Sequence, residues 1–136
     1  MAKTVLIVDD VAFVRKTLKD LLTQANYDVV GEAVDGTQAL EKYRLLRPDL
    51  VTMDIVMPNL SGIEATRQIV RADKNAKVVI ISAMGQENLV MEAINVGAKD
   101  YILKPFNSQD VLKTVHRVLF GNSPGSEKEL GMGGKV

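Results

Sequence analysis

Five short apolar runs, each followed by a stretch with helical spacing, fill most of this chain. The runs are "VLIVD" (5–9), "DVVGEA" (28–33), "LVTMD" (50–54), "KVVIIS" (77–82) and "DYILK" (100–104). The first, third and fourth are nearly continuous in apolar residues rather than alternating. Strands buried on both faces read this way, so the pattern predicts a parallel sheet covered by helices. Five βα units joined by right-handed crossovers make an open, doubly wound α/β sheet.

The intervening segments carry one-sided apolar stripes. Val14, Leu18, Leu21, Leu22 and Ala25 line a first helix, and Ala39, Leu40 and Tyr43 a second. Ser61 and Glu64 have capping-box spacing ahead of a third helix with Ile63, Thr66 and Val70. Val90, Ala93 and Ile94 mark a fourth, with Gly97 as its stop. Val111, Leu112, Val115, Val118 and Leu119 mark a fifth, opened by the capping candidates Asn107 and Ser108. From Gly121 the text turns to "GNSPGSEKELGMGGKV", without a sustained apolar stripe. The expected organisation is one domain over 1–121 and a flexible C-terminal tail over 122–136.

At 136 residues the chain can bury about two thirds of its unfolded surface, enough for a single core. Lys plus Arg and Asp plus Glu balance at 17 each, so no net charge points to nucleic acid or an anionic membrane. Without cysteine there is no disulfide, thiolate nucleophile or Cys-based zinc site. His116, the one histidine, excludes a multi-histidine metal site within one chain; it is expected on the surface without a catalytic role. No apolar run reaches the ~20 residues of a membrane span, and the expected location is the cytoplasm.

The polar residues fall where a parallel sheet would use them. All carboxyl ends meet along one edge, and open α/β sheets bind ligands outside it, at a topological switch point. The first run ends in Asp9 and Asp10, the third in Asp54, the fourth in Ser82 and the fifth in Lys104. The second offers only Glu32, in mid-strand. Singly, each has a plain structural use. Asp after a strand is often a helix cap, Asp54 precedes a turn with Pro58 and Gly62, and Lys104 could be a solvated charge. Jointly, three carboxylates face one ammonium, an excess that a hard divalent cation such as Mg²⁺ neutralises with oxygen ligands and retained waters. A carboxylate beside a cation and a lysine is well placed to attack phosphorus, so the set favours acyl-phosphate chemistry.

"VLIVDD", "PDLVTMDIVMP", "VVIISAMG" and "DYILKPF", in this order and spacing, resemble the receiver domain of two-component response regulators. The likeness runs from residue 4 to about residue 120. It implies the flavodoxin-like strand order 2-1-3-4-5 and makes Asp54 the phospho-acceptor. It also implies Mg²⁺ ligation by Asp10, Asp54 and the Val56 backbone carbonyl, with Asp9 acting through a metal-bound water. Lys104 would contact the phosphoryl oxygens, Ser82 would swing towards them, and Tyr101 would move between exposed and buried states. Lys104–Pro105 matches a cis peptide of the family. A receiver of this kind catalyses only its own phosphorylation and dephosphorylation and is no enzyme towards other substrates.

Within the family, "VDDVAFVRKTL", "VTMDI" and "SAMGQE" are most similar to stand-alone chemotaxis receivers. That implies a CheA-like histidine kinase, a FliM-like flagellar motor switch protein and a monomer. The motor protein would bind around Lys99, Tyr101 and Lys113. A receiver fragment of the chemotaxis methylesterase CheB, or another stand-alone receiver relaying phosphate, is the alternative. An Asp-nucleophile, Mg²⁺-dependent phosphatase of the haloacid-dehalogenase kind fits less well, because Ile55 and Val56 follow Asp54 where those resemble D-x-D. Val56 and Met84 stand where some receivers carry polar side chains. Neither can hold a water in line with a phosphoryl group, so slow self-dephosphorylation and an external phosphatase are expected.

Overall fold

The computed structural model describes residues 2–121; the expected tail, 122–136, lies outside the described residues. The chain alternates strictly: β1 (Thr4–Val8), α1 (Ala12–Gln24), β2 (Asp28–Ala33), α2 (Gly36–Leu46), β3 (Leu50–Asp54), α3 (Gly62–Ala72), β4 (Val78–Ser82), α4 (Glu87–Asn95), β5 (Asp100–Leu103) and α5 (Ser108–Phe120). All strand pairings are parallel and the order is β2-β1-β3-β4-β5. The doubly wound α/β class and the strand order both match expectation.

Period-two alternation within buried strands explains the continuous apolar runs. Leu6 and Val8 of β1 face one core with Val51, Met53, Val78 and Ile80, against Tyr43, Ile69 and Ala93 of α2, α3 and α4. Val5 and Ile7 face the other with Leu50, Val79 and Ile81, against Leu18 and Leu22 of α1 and Val111 and Val115 of α5. Both faces of β1, β3 and β4 are thus apolar, whereas the edge strands β2 and β5 are only partly buried.

The helix signals act largely as read, although the Glu64 carboxylate accepts from Arg67 and Gln68 instead of closing a capping box on the Ser61 N–H. Ser61 caps α3 by accepting from the Glu64 N–H, and Asn107 caps α5 by accepting from the Asp110 N–H. Gly97 follows α4 with φ +127°, a left-handed value that favours glycine. There it also packs against Val70 of α3. Asp9, Lys77 and Lys104 lie one residue outside the strands, not within them. The Asp9 and Lys104 backbones still donate to Ala33 and Ser82 carbonyls, extending the pairing by one bond each. Ala25 terminates α1 instead of joining its stripe.

Candidate phosphoryl site at the sheet edge

β1 is flanked by β2 on one side and β3 on the other, so the chain reverses direction between β1 and β3. Asp9, Asp10 and Asp54 flank that switch point. One oxygen of each lies within 4.8 Å of the others. Asp9 is 1% exposed, Asp54 is buried and Asp10 is exposed, so the cluster runs from a buried floor to an open rim. Lys104 reaches in from the β5 end, with Nζ 3.2 Å from Asp9 Oδ2 and 3.5 Å from Asp54 Oδ1. Four of the five residues that the sequence places on this edge, Asp9, Asp10, Asp54 and Lys104, therefore meet.

The helix-cap reading of the two aspartates does not hold. Val11 occupies the N-cap of α1, which has no side-chain cap. Asp9 Oδ1 instead accepts from the Val11 N–H at 2.9 Å, tightening the turn that carries Asp10. Asp54 Oδ1 accepts from the Ile55 N–H at 3.0 Å.

Electrostatics follow from this crowding. Burial, then the negative charge of Asp9, pushes the Asp54 carboxyl up to about 6, and Lys104 and the Ile55 N–H offset only part of that. Burial works against the Lys104 ammonium, but Asp54 and Asp9 outweigh it and raise its pKa. Lys104 is thus charged at neutral pH, and three carboxylates still face one ammonium. An all-oxygen donor set with surplus negative charge fits a hard divalent cation of the Mg²⁺ class.

Ser82 ends β4 fully buried, and its Oγ has no hydrogen-bond partner among the described residues. A buried hydroxyl left unpaired is costly, so its position is one from which movement towards an acceptor is favourable. It also lines a groove of about 250 Å³ with Val90 and Met91 of α4 and Tyr101 and Leu103 of β5. Tyr101 is 49% exposed. Lys99 lies in a different depression, with Lys77 and Arg117, and Lys113 is exposed on α5. His116 is exposed too, its ring 4.8 Å from that of Phe120. Val56 and Met84 are exposed at the site's margin, and Lys104–Pro105 is cis.

The loop carrying Val56 is fixed by Gly62, which the sequence marks only as a turn residue, and by Asn59, which it does not single out. The Gly62 N–H donates to the Ile55 carbonyl at 2.8 Å, and Asn59, with φ +67°, donates through Nδ2 to Asp35 Oδ2 at 2.6 Å. Asp35 in turn caps α2 through the Gln38 N–H. Asn and Gly in "PNLSG" were the available signal, but nothing local names Asp35 as the partner.

A sequence profile for the response regulator receiver domain matches residues 5–116. The chain belongs to this family. The receiver is 53% identical to the chemotaxis protein CheY of Thermotoga maritima over 118 residues, 87% of this chain and 98% of that protein. It is 49% identical to CheY of Bacillus subtilis, over 88% of this chain and 99% of that one. Among solved structures it resembles the CheX–CheY–BeF3–Mg²⁺ complex of Borrelia burgdorferi (TM-score 0.81, 41% identity, 85% of this chain and 88% of that one). It also resembles the response regulator domain of Thermotoga maritima CheB (TM-score 0.79, 38% identity, 88% and 97% coverage). No helix among the described residues is long and apolar enough to cross a membrane.

Proposed function

We propose that this receiver is a chemotaxis switch, phosphorylated on Asp54 by a histidine kinase and read out by a motor-switch protein. The convergence of Asp9, Asp10, Asp54 and Lys104 on one sheet edge carries the reading. Identities of 53% and 49% to CheY proteins, against 38% to the CheB receiver, favour the CheY-like assignment. Asp54 Oδ1 is engaged by Ile55 and Lys104, leaving Oδ2 to attack phosphorus. The new O–P bond forms as the P–N bond to the donor imidazole breaks. With a pKa of about 6, Asp54 is the required anion at neutral pH.

Asp10, Asp54 and the Val56 carbonyl would hold Mg²⁺, with Asp9 behind a bound water. The cation supplies charge neutralisation for the transferring phosphoryl group. Lys104 supplies the remaining positive charge, and Ser82 gains the acceptor it lacks. Its shift would let Tyr101 enter the adjoining groove, changing the face that also carries Lys99 and Lys113. Phosphate adds roughly −1.5 to −2 charge, and an output partner completes the shift. The CheX–CheY complex of Borrelia supports an auxiliary protein partner, and a site margin as apolar as Val56 and Met84 would need that partner to be a phosphatase.

Intact-protein mass after incubation with acetyl phosphate and Mg²⁺ tests the proposal. A single phosphoryl adduct, dependent on Mg²⁺ and absent from Asp54→Asn, is expected. No adduct on the folded wild type would overturn it.

A further inference from the structure

Glu32 is the one acidic residue that β2 carries towards this edge, and the phosphoryl chemistry gives it no part. Its carboxylate lies 2.9 Å from Arg15 Nε of α1. The same guanidinium donates from Nη1 to the Asp9 backbone carbonyl at 2.8 Å. Arg15 is largely buried and its planar fork spans both acceptors. Glu32 is itself held: its backbone carbonyl accepts from Lys42 Nζ, and Lys19 Nζ lies 3.8 Å from its other oxygen.

The peptide plane joining Asp9 to Asp10 is rigid, so fixing the Asp9 carbonyl fixes the direction in which Asp10 leaves. The Asp9 N–H is tied to the Ala33 carbonyl at 3.0 Å, and Asp9 Oδ1 to the Val11 N–H at 2.9 Å. Arg15 supplies the constraint on the remaining group of that residue. Asp10 is exposed and gains its orientation from this turn alone, since no hydrogen bond of its own carboxylate is found among the described residues. A plain α1–β2 ion pair would involve Glu32 and leave the Asp9 carbonyl untouched.

We propose that Arg15, anchored by Glu32, is a positioning residue that sets the Asp9–Asp10 turn for cation binding. The inference rests on the Mg²⁺ reading of the acidic cluster. It assigns to α1 and β2 a role that metal and phosphoryl contacts do not reveal.

The test is calorimetric titration of Mg²⁺ into the metal-free protein, without phosphorylation, paired with thermal melts in EDTA. Arg15→Ala is expected to weaken Mg²⁺ binding about tenfold, as loss of groups that orient metal ligands commonly does. Arg15→Lys, whose single nitrogen cannot reproduce the two-point fork, is expected to recover little of the affinity. Glu32→Gln, which keeps an acceptor but not the charge, is expected to fall between Arg15→Ala and wild type. If Arg15→Ala does not fold, Arg15→Lys and Glu32→Gln carry the test. Wild-type affinity in variants that melt lower in EDTA would overturn the inference, leaving Arg15 a structural ion pair. A wild type that fails to bind Mg²⁺ would instead overturn the reading of the acidic cluster, and the inference with it.

Discussion

A Cβ on Gly62 would sit 1.9 Å from the carbonyl oxygen of Asp54. The first residue of α3 therefore lies against the backbone of the residue at the centre of the acidic cluster, and the contact leaves no room for a side chain. Gly62→Ala must displace either the helix or the end of β3. A loss of about 2–4 kcal/mol is expected, the upper range for overpacking against backbone. Urea denaturation checks it, and an unchanged midpoint would mean that the approach is looser than described.

Asp54 sets a pH dependence with a definite sign. Its folded pKa of about 6 stands above the ~3.9 of an unfolded aspartate, so the folded state binds the extra proton. The resulting stabilisation is full below pH ~3.9 and is lost as pH rises through about 6. At pH 7.5 the ionised, buried Asp54 thus weakens the metal-free fold. Asp54→Asn removes that titration and is expected to be more stable than wild type by about 1–3 kcal/mol at pH 7.5 in EDTA. The advantage should shrink at pH 4.5. Denaturant melts at the two pH values decide it, and an equal difference at both would contradict the account.

The apolar residues at the margin, Val56 and Met84, predict a long-lived phosphoryl group. Both side chains are well exposed, and neither can orient an attacking water. Phosphorylated wild type is expected to keep its phosphate well beyond seconds once the donor is removed, and Val56→Asn to shorten the lifetime several-fold. Mass spectrometry over time measures both. Rapid loss from wild type, unaltered in Val56→Asn, would exclude this role for the margin.

Away from the site, Tyr43 of α2 donates its hydroxyl to Asp73, just beyond α3, at 2.7 Å. Burial, with the Asp73 bond and charge adding to it, pushes the Tyr43 hydroxyl up to about 12, so it remains a donor at any ordinary pH. Tyr43→Phe removes the bond and leaves Asp73 the Asn75 N–H. A cost of about 1.5–3 kcal/mol is expected, typical for a hydrogen bond to a charged group. The same change should leave Mg²⁺ affinity unaltered, which separates it from the effect of Arg15.

The sequence by itself determined the βα alternation, because buried strands and one-sided helices leave different apolar periods. It also determined which residues would stand at the carboxyl edge. Parallel strands share a direction, so Asp9, Asp10, Asp54, Ser82 and Lys104 had to gather at one edge once the sheet formed. Tertiary structure decided the rest. Which strand neighbours which is not encoded in any period and came from family likeness. Burial depth separates Asp9 from Asp10, though the two are adjacent in the chain. The bond from Arg15 to the Asp9 carbonyl, the Glu32 anchor and the Gly62–Asp54 contact depend on how α1, β2 and α3 pack. Such contacts join backbone groups to residues from other elements. A one-dimensional pattern records the type of each side chain, whereas these contacts are set by where the packed elements bring the backbone.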